Sequence, residues 1–187
     1  MVKGSDKRDL ALIKRAQSGD VEAFGEIYQR HAADVYRYFK AHLNDAQDAE
    51  DLLADVFLRT WKALPSYYPI RRVPFRVFLF RIARNRLIDY YRRQNLRHSA
   101  DLVDDDLQDL KNGINTTDEQ DHFRQIEMQQ IMKDLRDDYR TVLELRFFGG
   151  LTPNEIAQVM ERSEGAIRVL QHRALAALHK LISKSEK

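Results

Sequence analysis

The sequence predicts an all-α protein: two small helical domains joined by an acidic linker, the second domain a helix-turn-helix. Three observations carry this. Apolar residues recur at spacings of three and four in nearly every patterned segment, and nothing alternates long enough for a strand. Residues 95–121 are acidic, poor in aromatic side chains and without a sustained apolar stripe, so most of this stretch reads as a linker. Residues 151–181 hold two helical patterns separated by a three-residue turn. The 187 residues, 43% hydrophobic and 32% charged, supply ample core for a globular chain. The expected division is 1–95, linker 96–121 and 122–187.

Taken in order, helices are expected at 7–18, 21–43, 46–64 and 74–95, then at 122–136, 138–148, 153–160 and 164–183. Gly19 and Asp20 break the first from the second and provide an N-cap. Pro65, Pro69 and Pro74 bracket the loop "PSYYPIRRVP", which cannot be helical throughout and carries Tyr67, Tyr68, Arg71 and Arg72. In the helix that follows, Phe75, Phe78, Leu79, Ile82 and Ala83 share one face, and Arg81, Arg84, Asn85, Ile88 and Arg92 share another. Near the C-terminus, Thr152, Pro153 and Glu155 form the pattern of a capping box with proline at the first helical position. Ser163 can cap the helix after it, and the spacing of Ala157, Ile167 and Leu170 lets the pair pack at a steep angle.

The formal net charge of +2 conceals a segregation along the chain. Residues 71–97 carry nine arginines against the single acid Asp89, while residues 101–125 carry eight acids against Lys111 and Arg124. Sorted charge points to different partners for different stretches. Rings beside cations, as in Tyr67, Tyr68, Arg71 and Arg72 next to the arginine-rich helix, suit single-stranded nucleic acid, by stacking and phosphate neutralisation. A solvated basic face over buried rings has the same pattern. In the helix-turn-helix, Gly165 and Ala166 allow close approach to base edges, with Arg168, Gln171, His172 and Arg173 as donors. An ordinary helix pair of a bundle is the alternative. In "DAEDLLADVFLRTW", Ala49, Leu53, Val56 and Phe57 face a core, while Asp48, Asp51 and Asp55 form a strip with Arg59, bordered by Leu52 and Leu58. That strip is either a dock for a basic protein partner or a plain solvated face.

Other classes are disfavoured. The chain has no cysteine, which removes disulfides, thiolate metal sites and a cysteine nucleophile. Six histidines form no HExxH, and no glycine-rich phosphate loop occurs, so neither an enzyme nor a cofactor is expected. No run of about 18 apolar residues and no secretory signal pattern is present, so a cytoplasmic location without membrane insertion is expected.

Four segments, "GDVEAFGEIYQRHAADVYRYF", "DAEDLLADVFLRTW", "FRVFLFRIARNRLIDYYRR" and "LTPNEIAQVMERSEGAIRVLQHRALAAL", resemble in order the conserved regions of bacterial RNA polymerase sigma factors of the extracytoplasmic-function (ECF) group. The resemblance implies a promoter-specificity subunit. Asp48, Asp51, Leu52, Asp55 and Leu58 would bind the clamp helices of the largest polymerase subunit, and the second domain would lie near the flap region. Tyr67, Tyr68, Arg71, Arg72, Phe75, Arg81, Arg84, Asn85, Asp89, Arg92 and Arg93 would read and open the −10 element. Ser163, Glu164, Gly165, Ala166, Arg168, Gln171, His172 and Arg173 would read the −35 element as duplex. An anti-sigma factor is a further expected partner, and the acidic linker would thread toward the active cleft. Departures from the family pattern are Phe78 for tryptophan, Arg136 for proline and Ala166 for threonine, with Val169 and Leu170 at positions that are often polar. Phe78 keeps aromatic bulk, whereas Ala166 brings no hydroxyl to a base or phosphate. A stand-alone helix-turn-helix regulator and a sigma-like decoy are the competing readings.

Overall fold

Two aspartates set where the second and third helices begin. Asp20 accepts from the Ala23 amide at 2.9 Å, and Asp45 accepts from the Gln47 amide at 2.8 Å, each satisfying a donor that the first helical turn leaves unpaired. The computed structural model describes residues 4–43, 45–68, 73–101, 131–132 and 134–185. Helix α1 spans Gly4–Gln17, α2 Val21–Lys40 and α3 Ala46–Ala63, followed by a 3-10 turn at Leu64–Ser66 and α4 at Phe75–Asp101. The second half contains α5 at Asp137–Phe147, α6 at Pro153–Val159 and α7 at Glu164–Ser185. No strand occurs among the described residues.

Helices α1 to α4 pack in sequence order, with α4 returning onto α2, and α5 and α6 both pack on α7. The expected core positions Ala49, Leu53, Val56 and Phe57 of α3 are buried, as are Ala157, Ile167 and Leu170 of the helix-turn-helix. The capping box forms as expected: Thr152 Oγ1 accepts from the Glu155 amide at 3.3 Å, and Glu155 Oε2 accepts from the Thr152 amide at 2.7 Å. Ser163 Oγ accepts from the Ala166 amide at 3.2 Å and so starts α7. Between α6 and α7 the chain turns through Glu161 at φ 56°, a left-handed conformation that costs a residue with a Cβ about 1–2 kcal/mol.

Several boundaries differ from the sequence expectation. Helix α2 stops at Lys40 rather than 43, because the amides of His42 and Leu43 both fold back onto the Phe39 carbonyl. Helix α4 runs on through Asp101, so residues 96–101 of the expected linker are helical; neither glycine nor proline interrupts 75–101. Of the helix expected at 122–136, only 131–132 is described as helical and 134–136 is not; residues 122–130 and the linker residues 102–121 lie outside the described residues. Arg136 keeps the backbone of the proline that the resemblance expects, φ −55° and ψ 144°, and its guanidinium lies 4.9 Å from the centre of the Tyr139 ring. Phe78 is half-buried, 4.9 Å from the Tyr67 ring centre and 6.1 Å from that of Phe75, which accommodates the smaller ring.

The sequence does not say how the two helical groups sit together; in the structure they share one continuous core. Helix α4 packs on α6, and the core cluster runs from Leu12 through Phe80 to Ala174. The start of α4 is therefore enclosed nearly all round: Phe75, Val77, Leu79, Phe80 and Ala83 are all buried. A Cβ on Gly149, in the loop after α5, would lie 2.8 Å from Phe80 Cε1, so only glycine admits the α4 ring this close.

Candidate nucleic-acid interface

The acidic strip of α3 divides into structural and free groups. Asp55 receives Arg59 Nε at 3.0 Å and also pairs with Arg86 of α4, while Tyr90 of α4 donates its hydroxyl to Asp48 at 2.6 Å. Burial, with the Asp48 hydrogen bond and charge added to it, pushes the Tyr90 phenol well above its ordinary range, so it stays a donor. Two of the three carboxylates thus tie α3 to α4. Asp51 is exposed and takes only the side chain of Gln47, at 3.2 Å among the described contacts. Leu58 is 52% exposed, whereas Leu52 is buried and belongs to the core rather than to the surface strip.

The stacking set separates in the same way. Tyr67 is 6% exposed and Phe75 3% exposed; their rings pack edge to face at 5.8 Å, and the Tyr67 hydroxyl donates to the Val73 carbonyl at 2.8 Å. In this conformation neither offers a ring face to a base. Tyr68, 66% exposed, does. Arg71 and Arg72 lie outside the described residues. Along α4, Asn85, Arg92 and Arg93 are exposed and Arg84 is half-buried, but Arg81 is engaged, donating from Nε and Nη2 to the Gln158 carbonyl at 3.2 and 2.7 Å.

Between α3 and α4 lies an open cleft of about 540 Å³. Ala63 and Ile82 give it apolar wall, Lys62 brings an ammonium, Arg59 and Arg86 bring guanidinium groups paired with Asp55, and Asn85 and Asp89 bring an amide and a carboxylate. Asp89 also accepts from Arg86 at 3.1 Å, which fixes its carboxylate. Sequence reading singled out Asn85 and Asp89 but missed Lys62 and Ile82, whose meeting depends on how α3 and α4 cross. The combination of a flat apolar contact, hydrogen-bonding groups and cations matches what an unstacked base and its phosphate require.

On the helix-turn-helix, Gly165, Ala166, Arg168, His172 and Arg173 are exposed together on α7. Ser163 acts as the cap described above. Glu164 binds Arg168 at 2.6 Å and Asn154 at 3.2 Å, and those hydrogen bonds, Arg168 first, hold its carboxyl below its ordinary range. Gln171 departs from expectation. Its position turns toward the packed side of α7, and its Nε2 is buried without a hydrogen-bond partner among the described residues, so it does not reach the exposed face. Val169 takes the central place instead: 51% exposed, one turn after Gly165 and one before His172.

Residues 27–97 match the family Sigma-70 region 2, and residues 131–180 match Sigma-70, region 4. The ECF RNA polymerase sigma factor SigM of Bacillus subtilis is 31% identical over 163 residues, covering 85% of this chain and 94% of its own. The chain belongs to the ECF sigma factors of the sigma-70 family. As a sigma factor it directs promoter-specific transcription initiation, with core RNA polymerase and promoter DNA as partners. The ECF sigma factor BldN of Streptomyces coelicolor is 30% identical over 178 residues, 94% of this chain and 66% of BldN. A solved structure of CnrH in complex with the cytosolic domain of CnrY superimposes with a TM-score of 0.75 at 25% identity, over 95% of this sigma factor and 98% of CnrH.

Proposed function

We propose that the work of this sigma factor is divided among three surfaces. Asp51 and Leu58 on α3 dock the polymerase clamp helices; the α3–α4 cleft with Tyr68 takes an unpaired base of the −10 element; the exposed face of α7 reads the −35 element in the major groove. Asp48, Asp55 and Leu52 serve the first surface by holding α3 against α4 and the core, and Arg84, Arg92 and Arg93 serve the second by binding phosphates. The second domain, residues 122–187, sits near the flap region. The observation that carries this reading is the cleft, where Asn85 and Asp89 meet Ala63, Ile82 and three cations in about 540 Å³.

Opening duplex DNA costs on the order of 1.4 kcal/mol per base-pair step, and stacking plus hydrogen bonding of a captured base offsets part of that. No covalent chemistry is involved. The factor acts in the cytoplasm; no helix among the described residues is long and apolar enough to cross a membrane. An anti-sigma partner belongs to the same reading, since CnrH was solved with the cytosolic domain of CnrY. The test is run-off transcription by purified core polymerase on a promoter library, with and without this protein. Promoter-selective transcripts are expected with the protein; Asn85→Ala should lose them on linear duplex yet keep them on templates pre-opened at −10. Equal loss on both templates would show that the cleft does not act in strand opening.

A further inference from the structure

Helix α1 reaches the base of the −10 surface through one side chain. Gln17, its half-buried last residue, donates from Nε2 to two backbone carbonyls far along the chain, Leu64 at 2.9 Å and Tyr67 at 2.7 Å. A carbonyl oxygen can only accept, so the two partners fix which end of the amide faces them and take both of its hydrogens. They lie at the start and just past the end of the 3-10 turn Leu64–Ser66. That turn follows Ala63, a wall of the α3–α4 cleft, and leads into Tyr67 in extended backbone, φ −78° and ψ 114°.

The next residue is Tyr68, the exposed ring of the proposed base-binding surface. Three contacts hold the chain just before it. Gln17 takes the Tyr67 carbonyl, the Tyr67 ring is buried against Phe75 and Phe78, and the Tyr67 hydroxyl donates to the carbonyl of Val73. The held carbonyl belongs to the planar peptide unit that ends at the Tyr68 Cα, so a hydrogen bond on it fixes the point from which the Tyr68 side chain departs. Helix and turn have other supports. Leu12, Ile13 and Ala16 are buried, and Asp9 pairs with His31 of α2. The turn closes on itself, with the Tyr67 amide on the Leu64 carbonyl at 3.0 Å and Ser66 Oγ on the Ala63 carbonyl at 2.7 Å.

We propose that Gln17 is a positioning residue for −10 recognition, holding the Tyr67–Tyr68 peptide so that the Tyr68 ring is presented to an unpaired base. The role rests on the reading of Tyr68 as the ring that takes such a base. Its physical basis is preorganisation: a ring whose backbone is already fixed needs less ordering when the base arrives. Gln17 lies upstream of residues 27–97, which match Sigma-70 region 2, so α1 contributes to promoter choice from outside that region.

The test uses this sigma factor bound to core polymerase. The probe is a fluorescein-labelled single strand carrying the −10 element of a promoter recovered by run-off transcription, with an abasic site placed at each position in turn. For the parent, one abasic site should weaken binding about tenfold, the loss of one stacked base, and Tyr68→Ala should be insensitive at that position. Gln17→Ala, whose half-buried site lets water satisfy the two carbonyls, should reduce the same penalty to about threefold or less. Penalties elsewhere, and affinity for a −35 duplex of that promoter, should stay those of the parent. Gln17→Glu keeps the size without the donor and should behave alike, with helical content of both checked by circular dichroism. A full penalty in either folded variant overturns the positioning role. A uniform loss across all positions and the −35 duplex, or unfolding of both variants, makes Gln17 a residue of stability alone and overturns it too. If Tyr68→Ala matches the parent at every position, the reading of Tyr68 itself fails, and the role of Gln17 with it.

Discussion

Asp55 and Leu58 lie three residues apart on α3, one paired to α4 and one exposed, and the different roles proposed for them are separable by measurement. Replacing Asp55 with alanine removes a carboxylate that Arg86, a buried residue of α4, uses together with Asp89. Leaving the buried Arg86 guanidinium without this counter-charge costs about 1–3 kcal/mol, and the exposed Arg59 pair on the same carboxylate contributes about 0.3–0.5 kcal/mol. Asp89 remains at 3.1 Å from Arg86 and limits the loss, so Asp55→Ala should cost about 2 kcal/mol. For a chain of this length that is about 4–8 °C in Tm. Leu58 is 52% exposed, so Leu58→Ala should move stability by no more than about 0.5 kcal/mol. Competition binding to core polymerase should reverse the order of interest: Leu58→Ala loses about tenfold in affinity, as an apolar anchor at an interface would, while its melting curve stays that of the parent. Thermal melts followed by circular dichroism, run beside the competition assay, separate the two effects. An Asp55→Ala protein that melts with the parent would refute the role of Asp55 as the tie between α3 and α4. A Leu58→Ala protein with undiminished polymerase affinity would refute the docking role of α3.

Other outcomes are expected. Asp9 is buried; burial works against its carboxylate, but hydrogen bonds and charge from His31 and Arg30 outweigh it and hold the carboxyl below its ordinary range. The stability it contributes is therefore complete above the unfolded value of about 3.9 and lost as pH falls further, so Asp9→Asn should flatten the acid limb of the denaturation profile and cost about 3–5 kcal/mol at neutral pH. Thr152→Ala removes one side of the capping box and should lower stability by about 1 kcal/mol in urea titration, with α7 and its exposed face intact. Val169 is 51% exposed on the face of α7 proposed to read duplex, where its methyl groups can meet that of a thymine; replacing a −35 thymine with deoxyuridine should weaken duplex binding about fourfold for the parent and leave Val169→Ala unaffected, as read by fluorescence anisotropy.

Which residues were visible in the sequence, and which were not, follows from the range of the interactions involved. The caps at Asp20, Thr152 and Ser163 were legible because a cap is made within three residues of itself. The apolar face of α3 was legible because it needs only one helix period. Helix α4 was misread for the opposite reason. Its pattern suggests one packed face and one free face, but α6 covers part of the second, and no local rule can tell that Arg81 will cap the end of a helix 77 residues away. The same applies to Tyr67 and Phe75, whose composition suits stacking on bases while the fold spends both rings on each other. Gln171 turns toward the packed side of α7, while Val169, which the family pattern treats as a departure, lies on its exposed face. Aromatic and arginine side chains serve equally well in a core, a domain contact or a nucleic-acid surface. Local sequence therefore marks α4 as rich in interactions, and only the position of the second domain decides which of them are already made within the chain.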